Sequence, residues 1–290
     1  MRENDERPAV PAAGPLRSAR AGRRPTIPVP LEVSDICLQP AVQQAGSADR
    51  LIAERAFPLA LRFMARGFLA AHEAAPRTAA LFATQQRWLL CHAGLAQYFL
   101  AARRGGAGLT RRGLGLLARQ HGIASRNTAY AFFDEALKYE VVLPVGTGEE
   151  VVPSALTLSI LTQWYGLHLH VLDLIDGRCR SARFLAEPER LLTHLAPRVG
   201  MTLVSDADLY RPGPFYTIFT WADAGGLLMD RFIAGLEEGA VPEAGNMLTD
   251  VSPISSLAEA FGLSRAHTSR QEIASVSTRS RMAAASAVTE

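Results

Sequence analysis

The chain has 290 residues, 48% of them hydrophobic, enough to bury the core of one large domain or two small ones. Its formal net charge of only +2 excludes the strongly basic balance of a small non-specific nucleic-acid binder, so any nucleic-acid site has to come from local clustering of arginines. Three scattered cysteines, Cys37, Cys91 and Cys179, form neither a Cys-x-x-Cys pair nor an even disulfide set, which points to a reducing compartment and a cytoplasmic location. Lys138 is the only lysine, a compositional bias towards arginine.

From Met1 to about Ser47, prolines (Pro8, Pro11, Pro15, Pro25, Pro28, Pro30) alternate with arginines (Arg17, Arg20, Arg23, Arg24) and no apolar period is sustained. This is the composition of a disordered tail over 1–48, and it lacks the continuous apolar run of a secretory signal. Asp49 to about Ala75 reads as helical, with Leu51, Ile52, Leu59, Leu61, Met64 and Phe68 on its apolar faces and Pro58 bending or breaking it. Pro76 and Arg77 mark the next break. Between Gln85 and Arg104, Trp88, Cys91, Leu95, Tyr98 and Phe99 recur at spacings near three and four, the stripe of a core-facing helix. The glycine-rich stretch Arg103 to Gly108 ends it.

Thr110 is placed as the N-cap of a short helix to about His121, with Leu109 and Leu114 as a hydrophobic staple and Leu114, Leu117 and Ala118 as its buried face. Gly122 closes that helix, and Ser125 caps a longer one whose Ala129, Phe132, Phe133, Ala136 and Leu137 fall at i, i+3, i+4, i+7 and i+8. The period then changes. Val141 to Val145 and Glu149 to Val152 read as two short strands around the turn Gly146-Thr-Gly148, the place and size of a wing. Ser154 caps the longest apolar stretch, Ala155 to Ile175; its Gln163, His168, His170 and Asp173 would be costly in lipid, so it reads as a buried helix and no membrane span is expected. Pro188 and Pro197 are expected in the first turns of two further short helices. Asp206 to Pro214 is the expected linker, and a helix from about Thr220 to Leu236 begins a C-terminal unit.

The chemistry of the chain lies in its arginines. From Arg103 to Phe133 there is no acidic residue, and Arg103, Arg104, Arg111, Arg112, Arg119 and Arg126 all lie in that window. In a helix-turn-helix the first short helix braces the second, whose N-terminal side chains reach base edges while arginines and helix N-termini hold phosphates. With its apolar face inward, the second helix leaves Arg126, Asn127 and Tyr130 outward near its start; Arg suits guanine and Asn suits adenine in the major groove. Ser125 and Thr128 are a cap and a phosphate or helix-flank contact, Arg111, Arg112 and Arg119 belong to the bracing helix, and Asp134 is too far along to approach DNA. The hairpin offers Thr147 and glycine backbone at its tip, but Glu149 and Glu150 would be repelled by phosphate, so a role in covering the core is an equal expectation.

The segment Leu117-Ala-Arg-Gln-His-Gly-Ile-Ala-Ser-Arg-Asn-Thr128, within Leu114 to Val142, resembles the winged helix-turn-helix of MarR-type transcriptional regulators. Its turn, Gly122-Ile-Ala-Ser125, is one residue longer than the Gly-Val-Ser pattern of that family. A second stretch, Leu257 to Arg270, resembles a bacterial helix-turn-helix, with Ala258, Gly262, Ser264 and Arg265 at the brace, turn, cap and first outward positions and His267 and Arg270 further along the second helix. It departs from the pattern after Arg270, where Gln271, Glu272 and Ser275 fall at inward positions. The resemblance implies binding of double-stranded DNA, commonly as a homodimer, in a transcription regulator.

The expected fold is mainly α, with two winged-helix-like helix-turn-helix units joined by a helical middle region and a small β-hairpin wing after the first. The expected division is a Pro/Arg-rich tail (1–48), a helical lead-in with the first unit (49–153), a helical middle region and linker (154–214), the second unit (215–278) and a flexible tail (279–290). No catalysis is expected, and neither a cofactor nor a metal: Gly113-Leu-Gly-Leu-Leu-Ala118 matches a dinucleotide fingerprint only formally, with no strand before it, and His168 and His170 are two apart on a helix and point to different sides. The function read from the sequence is sequence-selective DNA binding in transcriptional control. The alternatives are a protein-interaction adaptor on the same scaffold without DNA, and a ligand-sensing regulator whose helical middle near Trp164, Tyr165 and His168 binds a small molecule.

Overall fold

Among the residues that the computed structural model describes (48–76, 79, 82, 84–106, 108–206, 219, 225–236 and 249–250), the chain is mainly α-helical with one small three-stranded antiparallel sheet. The segment before residue 48 and the stretch carrying Ser264, Arg265, His267 and Arg270 lie outside the described residues, as does most of the expected linker. The elements in order are α1 (Ala48–Ala53), α2 (Phe57–Ala74), α3 (Gln85–Arg104), β1 (Leu109–Thr110), α4 (Arg111–Gln120), α5 (Arg126–Lys138), β2 (Val142–Pro144), β3 (Glu150–Pro153), α6 (Ala155–Asp176), α7 (Arg180–Ala186), α8 (Pro188–Ser205) and α9 (Gly225–Ala234). No helix among them is long and apolar enough to cross a membrane.

Side-chain caps fix most of these boundaries. Thr84, Thr110, Ser125 and Ser154 each stand in extended backbone and accept a hydrogen bond from the N–H three residues on, opening α3, α4, α5 and α6. Pro58 sits in the first turn of α2, so the break it causes falls before it, at Glu54 to Ala56. Asp173, buried near the end of α6, accepts from the N–H groups of Arg180 and Ser181 (2.9 and 2.8 Å) and from the Ser181 hydroxyl (2.8 Å). Its carboxylate thereby satisfies the first amides of α7, whose own N-cap, Cys179, supplies no side-chain bond.

Helix α3 separates two cores. One of its faces gives Leu89, Leu90 and Ala93 to a cluster with Leu109, Leu114, Ala118, Ile123, Ala129, Phe132, Phe133, Val142 and Val151. The other gives Leu95 and Phe99 to a cluster with Leu161, Tyr165, Phe184, Leu192 and Ala196. Its most extensive helix contact is with α8. A Cβ at Gly200 would stand 2.7 Å from the His92 carbonyl oxygen and 2.9 Å from the Ala96 Cβ, so the two backbones come together there. The helix expected over about Thr220 to Leu236 appears as α9 and packs on α2; the Arg62 guanidinium donates to the Leu236 carbonyl at 2.9 Å. Helix α2 also packs on α6 through Ala60, Leu167 and Val171.

Two features differ from the sequence reading. Pro197 does not open a helix: α8 is continuous from Pro188 to Ser205 with Pro197 buried inside it. The missing N–H costs one hydrogen bond, which the close packing of α8 against α3 outweighs. A strand at Leu109–Thr110 was not anticipated. It pairs with β3 (Leu109 opposite Val151, Thr110 opposite Glu150), which makes the hairpin the rest of a sheet ordered β1-β3-β2. Strand β2 is an edge of that sheet and carries Pro144.

At the seam between α3 and α6, aromatic rings close on two histidines. Trp164 lies 3.9 Å from His168 and 4.9 Å from His92, ring centre to ring centre, and Trp88 lies 4.6 Å from His92. The His168 Nδ1–H donates to the Trp164 carbonyl at 2.8 Å. Burial, and then the nearby His168, push the His92 imidazole from its ordinary 6.5 down to about 4, and burial lowers His168 as well.

Two outcomes are expected. Gly200→Ala forces the α3 and α8 backbones apart and lowers stability by about 1 to 3 kcal/mol in thermal or urea melts. The unfolded chain binds the His92 proton more readily than the folded one, so this contribution is intact above about pH 6.5 and is lost as the pH falls towards 4, by up to about 3 kcal/mol. Melting temperatures of wild type and His92→Leu between pH 7.5 and 4 check it: the variant should show the shallower acid dependence.

Candidate nucleic-acid interface

Leu114 and Ala118 of α4 meet Ala129, Phe132 and Phe133 of α5 in the first core, so the two helices are joined by their inner faces. The turn between them has a defined closure. The Gly122 N–H donates to the Arg119 carbonyl (3.2 Å) and the Ile123 N–H to the Ala118 carbonyl (2.9 Å), with Gly122 at φ 66°. That is the paired-bond ending of a helix with a left-handed residue after its cap, and Ile123 is buried against Ala118 as such endings favour. From outside the pair, the Gln86 amide of α3 donates to the Ile123 carbonyl at 2.9 Å.

The expected site residues fall into two groups. Arg112 and Arg119 on α4, and Ser125, Arg126, Asn127 and Thr128 at the start of α5, are exposed. Ser125 is the N-cap; its Oγ accepts from the Thr128 N–H at 3.1 Å and lies 2.8 Å from the Thr128 hydroxyl. Arg112 and Arg119 enter no ion pair among the described residues. Arg111 and Tyr130 form the second group. The Arg111 Nε and one terminal nitrogen donate to the two Asp134 oxygens at 2.8 and 2.7 Å, and its guanidinium lies 4.1 Å from the centre of the Tyr130 ring. The Asp134 hydrogen bonds raise the Arg111 pKa further above its ordinary value. Tyr130 is half-buried over Gly115, where a Cβ would stand 2.6 Å from the ring, and Arg126 lies 5.9 Å from the same ring.

The acidic residues of α5 are the part that sequence reasoning missed. Asp134 pairs with Arg111 of α4, and its neighbour Glu135 pairs with Arg87 of α3, so consecutive carboxylates are taken up by arginines from two different helices. No local signal marks these pairs, since 23 and 48 residues separate the partners in sequence. The paired carboxylates lie towards the C-terminal half of α5, while the unpaired arginines lie by the turn and the helix starts, where backbone N–H groups also favour anions.

The hairpin carries a different surface. Thr147 is exposed at its tip between Gly146 and Gly148, but Leu143, Pro144, Val145 and Glu149 around it are exposed too. Glu150 accepts from the Gly108 N–H at 3.0 Å, which ties β3 to the residue before β1. The hairpin is thus bound back to the glycine-rich end of α3. Leu116 is a further exposed apolar residue, standing on the outer face of α4 one turn from both Arg112 and Arg119.

Comparison with protein-family models, with curated proteins and with solved structures finds no match to this chain.

Because Gly122 stands at positive φ with open space around its Cα, its replacement by alanine adds backbone strain without a steric clash. Gly122→Ala is expected to lower stability by about 1 kcal/mol. It should also speed amide hydrogen exchange at Gly122 and Ile123, whose two N–H groups close the turn. Unchanged protection there would show that the left-handed closure does not hold the helix pair.

Proposed function

We propose that the chain is a DNA-binding transcription regulator that reads double-stranded DNA sequence-selectively with α4 and α5, as a winged helix-turn-helix of the kind its Leu117 to Thr128 segment resembles. The observation that carries the reading is the charge division on α5. Arg126, with Arg112 and Arg119 of α4, is exposed and free of any carboxylate partner among the described residues, while both acids of the helix are paired further along it. In this reading Arg126 and Asn127 reach base edges, Ser125 and Thr128 flank them, and Arg112 and Arg119 hold phosphates. Binding as a homodimer to a two-fold site belongs to the same proposal.

A protein-interaction adaptor is the second reading, favoured by Leu116, an exposed leucine in the middle of the arginine face. Selection of binding sites from random duplexes, at two salt concentrations, separates the two. Arg126→Ala should weaken binding by about 1 to 3 kcal/mol and relax preference at one or two positions. Arg112→Ala should weaken binding to all sequences alike and reduce the salt slope by roughly one. Absence of duplex binding by the folded wild type at low salt would leave the adaptor.

A further inference from the structure

The outer seam between α4 and α5 has a repeat of four on both sides. Arg111, Gly115 and Arg119 follow one another along α4, and Arg126, Tyr130 and Asp134 along α5, each set on one helix face. The contacts run in opposite order: Arg111 meets Asp134, and Gly115 meets Tyr130 and the Arg126 stem. The seam is closed by an ion pair at one end and by a ring on a glycine in its middle. At the turn end it carries two arginines, Arg119 and Arg126, with no carboxylate partner among the described residues.

We propose that Arg111 is a positioning residue and not a phosphate contact: with Asp134 and Tyr130 it sets the angle of α5 on α4, and so the place of Arg126 and Asn127. The proposal rests on the DNA-binding reading. Two edge nitrogens of its guanidinium are held by Asp134 in a fork, and a face of the same group lies over Tyr130, so two of its five N–H donors and one face are engaged within the protein and its charge is already paired. Tyr130 is correspondingly a wedge and not a base reader. Its ring fills the space that Gly115 leaves open, and a ring displaced towards DNA would leave Arg111 without its stacking partner. The inner core already holds the helices together, so an exposed ion pair adds little to overall stability and its effect belongs to orientation.

The experiment uses the full chain and the duplex selected by wild type, with affinity measured across a salt series and melting temperature recorded for each variant. Arg111→Gln and Asp134→Asn are each expected to weaken binding by roughly three- to tenfold, with the double variant no weaker than the singles. The salt slope should stay at the wild-type value in all three, whereas Arg112→Gln lowers it by about one. Arg111→Lys should fail to restore affinity, because lysine keeps the charge but has neither the fork nor the flat face. A phosphate contact gives the opposite pattern: Arg111→Lys binds like wild type, Arg111→Gln loses salt slope, and Asp134→Asn binds more tightly. That pattern overturns the inference while leaving the DNA-binding reading in place. No duplex binding by the folded wild type overturns both.

Discussion

The two larger cores of the fold both depend on the burial of α3, one on each side of it. Leu89, Leu90 and Ala93 face the α4–α5 pair, Leu95 and Phe99 face α6, α7 and α8, and the close approach at Gly200 brings the α8 backbone against His92 and Ala96. A helix used in this way leaves little freedom to its neighbours. The arginine-bearing pair packs on the same helix, α3, that carries Trp88 and His92 of the aromatic seam. That seam is continuous with both cores: Trp88 and Cys91 pack against the first, and Cys91 and Trp164 against the second.

The candidate interface is organised by where its negative charge goes. With a net charge of +2 the chain has no strong overall field, and what charge separation it shows here is local. Pairing Asp134 with Arg111 and Glu135 with Arg87 neutralises one half of α5 and leaves the other half to Arg126, beside Arg112 and Arg119 of α4. The same two pairs join α5 to α4 and to α3. The arginines left without a carboxylate partner among the described residues, Arg112, Arg119 and Arg126, are thereby held on a helix pair whose mutual placement is fixed by contacts on both faces.

Much of this was legible because the signals were local. Thr110, Ser125 and Ser154 announce helix starts through bonds to amides three residues away, Gly122 announces an ending, and the three- and four-residue spacing of Ala129, Phe132, Phe133 and Ala136 identifies the buried face. What was not legible depends on partners remote in sequence. The arginines at 111 and 112 look alike in the chain, and only the arrival of Asp134 and Tyr130 from α5 separates them. Strand β1 has two residues and exists because β3 comes beside it. Pro197 misleads for the same reason: local preference argues for a helix start, and packing of α8 across α3 carries the helix through.

The proline in β2 has a consequence for how this molecule meets copies of itself. The sheet has a very short strand on one side and the three residues Val142, Leu143 and Pro144 on the other, next to the exposed side chains of Leu143 and Val145. An apolar edge of this kind would ordinarily invite another strand to line up along it. Pro144 has no N–H to offer at its position, so a newcomer would find the ladder broken after one residue pair. Apolar side chains can then remain in water at the tip of the hairpin without making it a seed for aggregation.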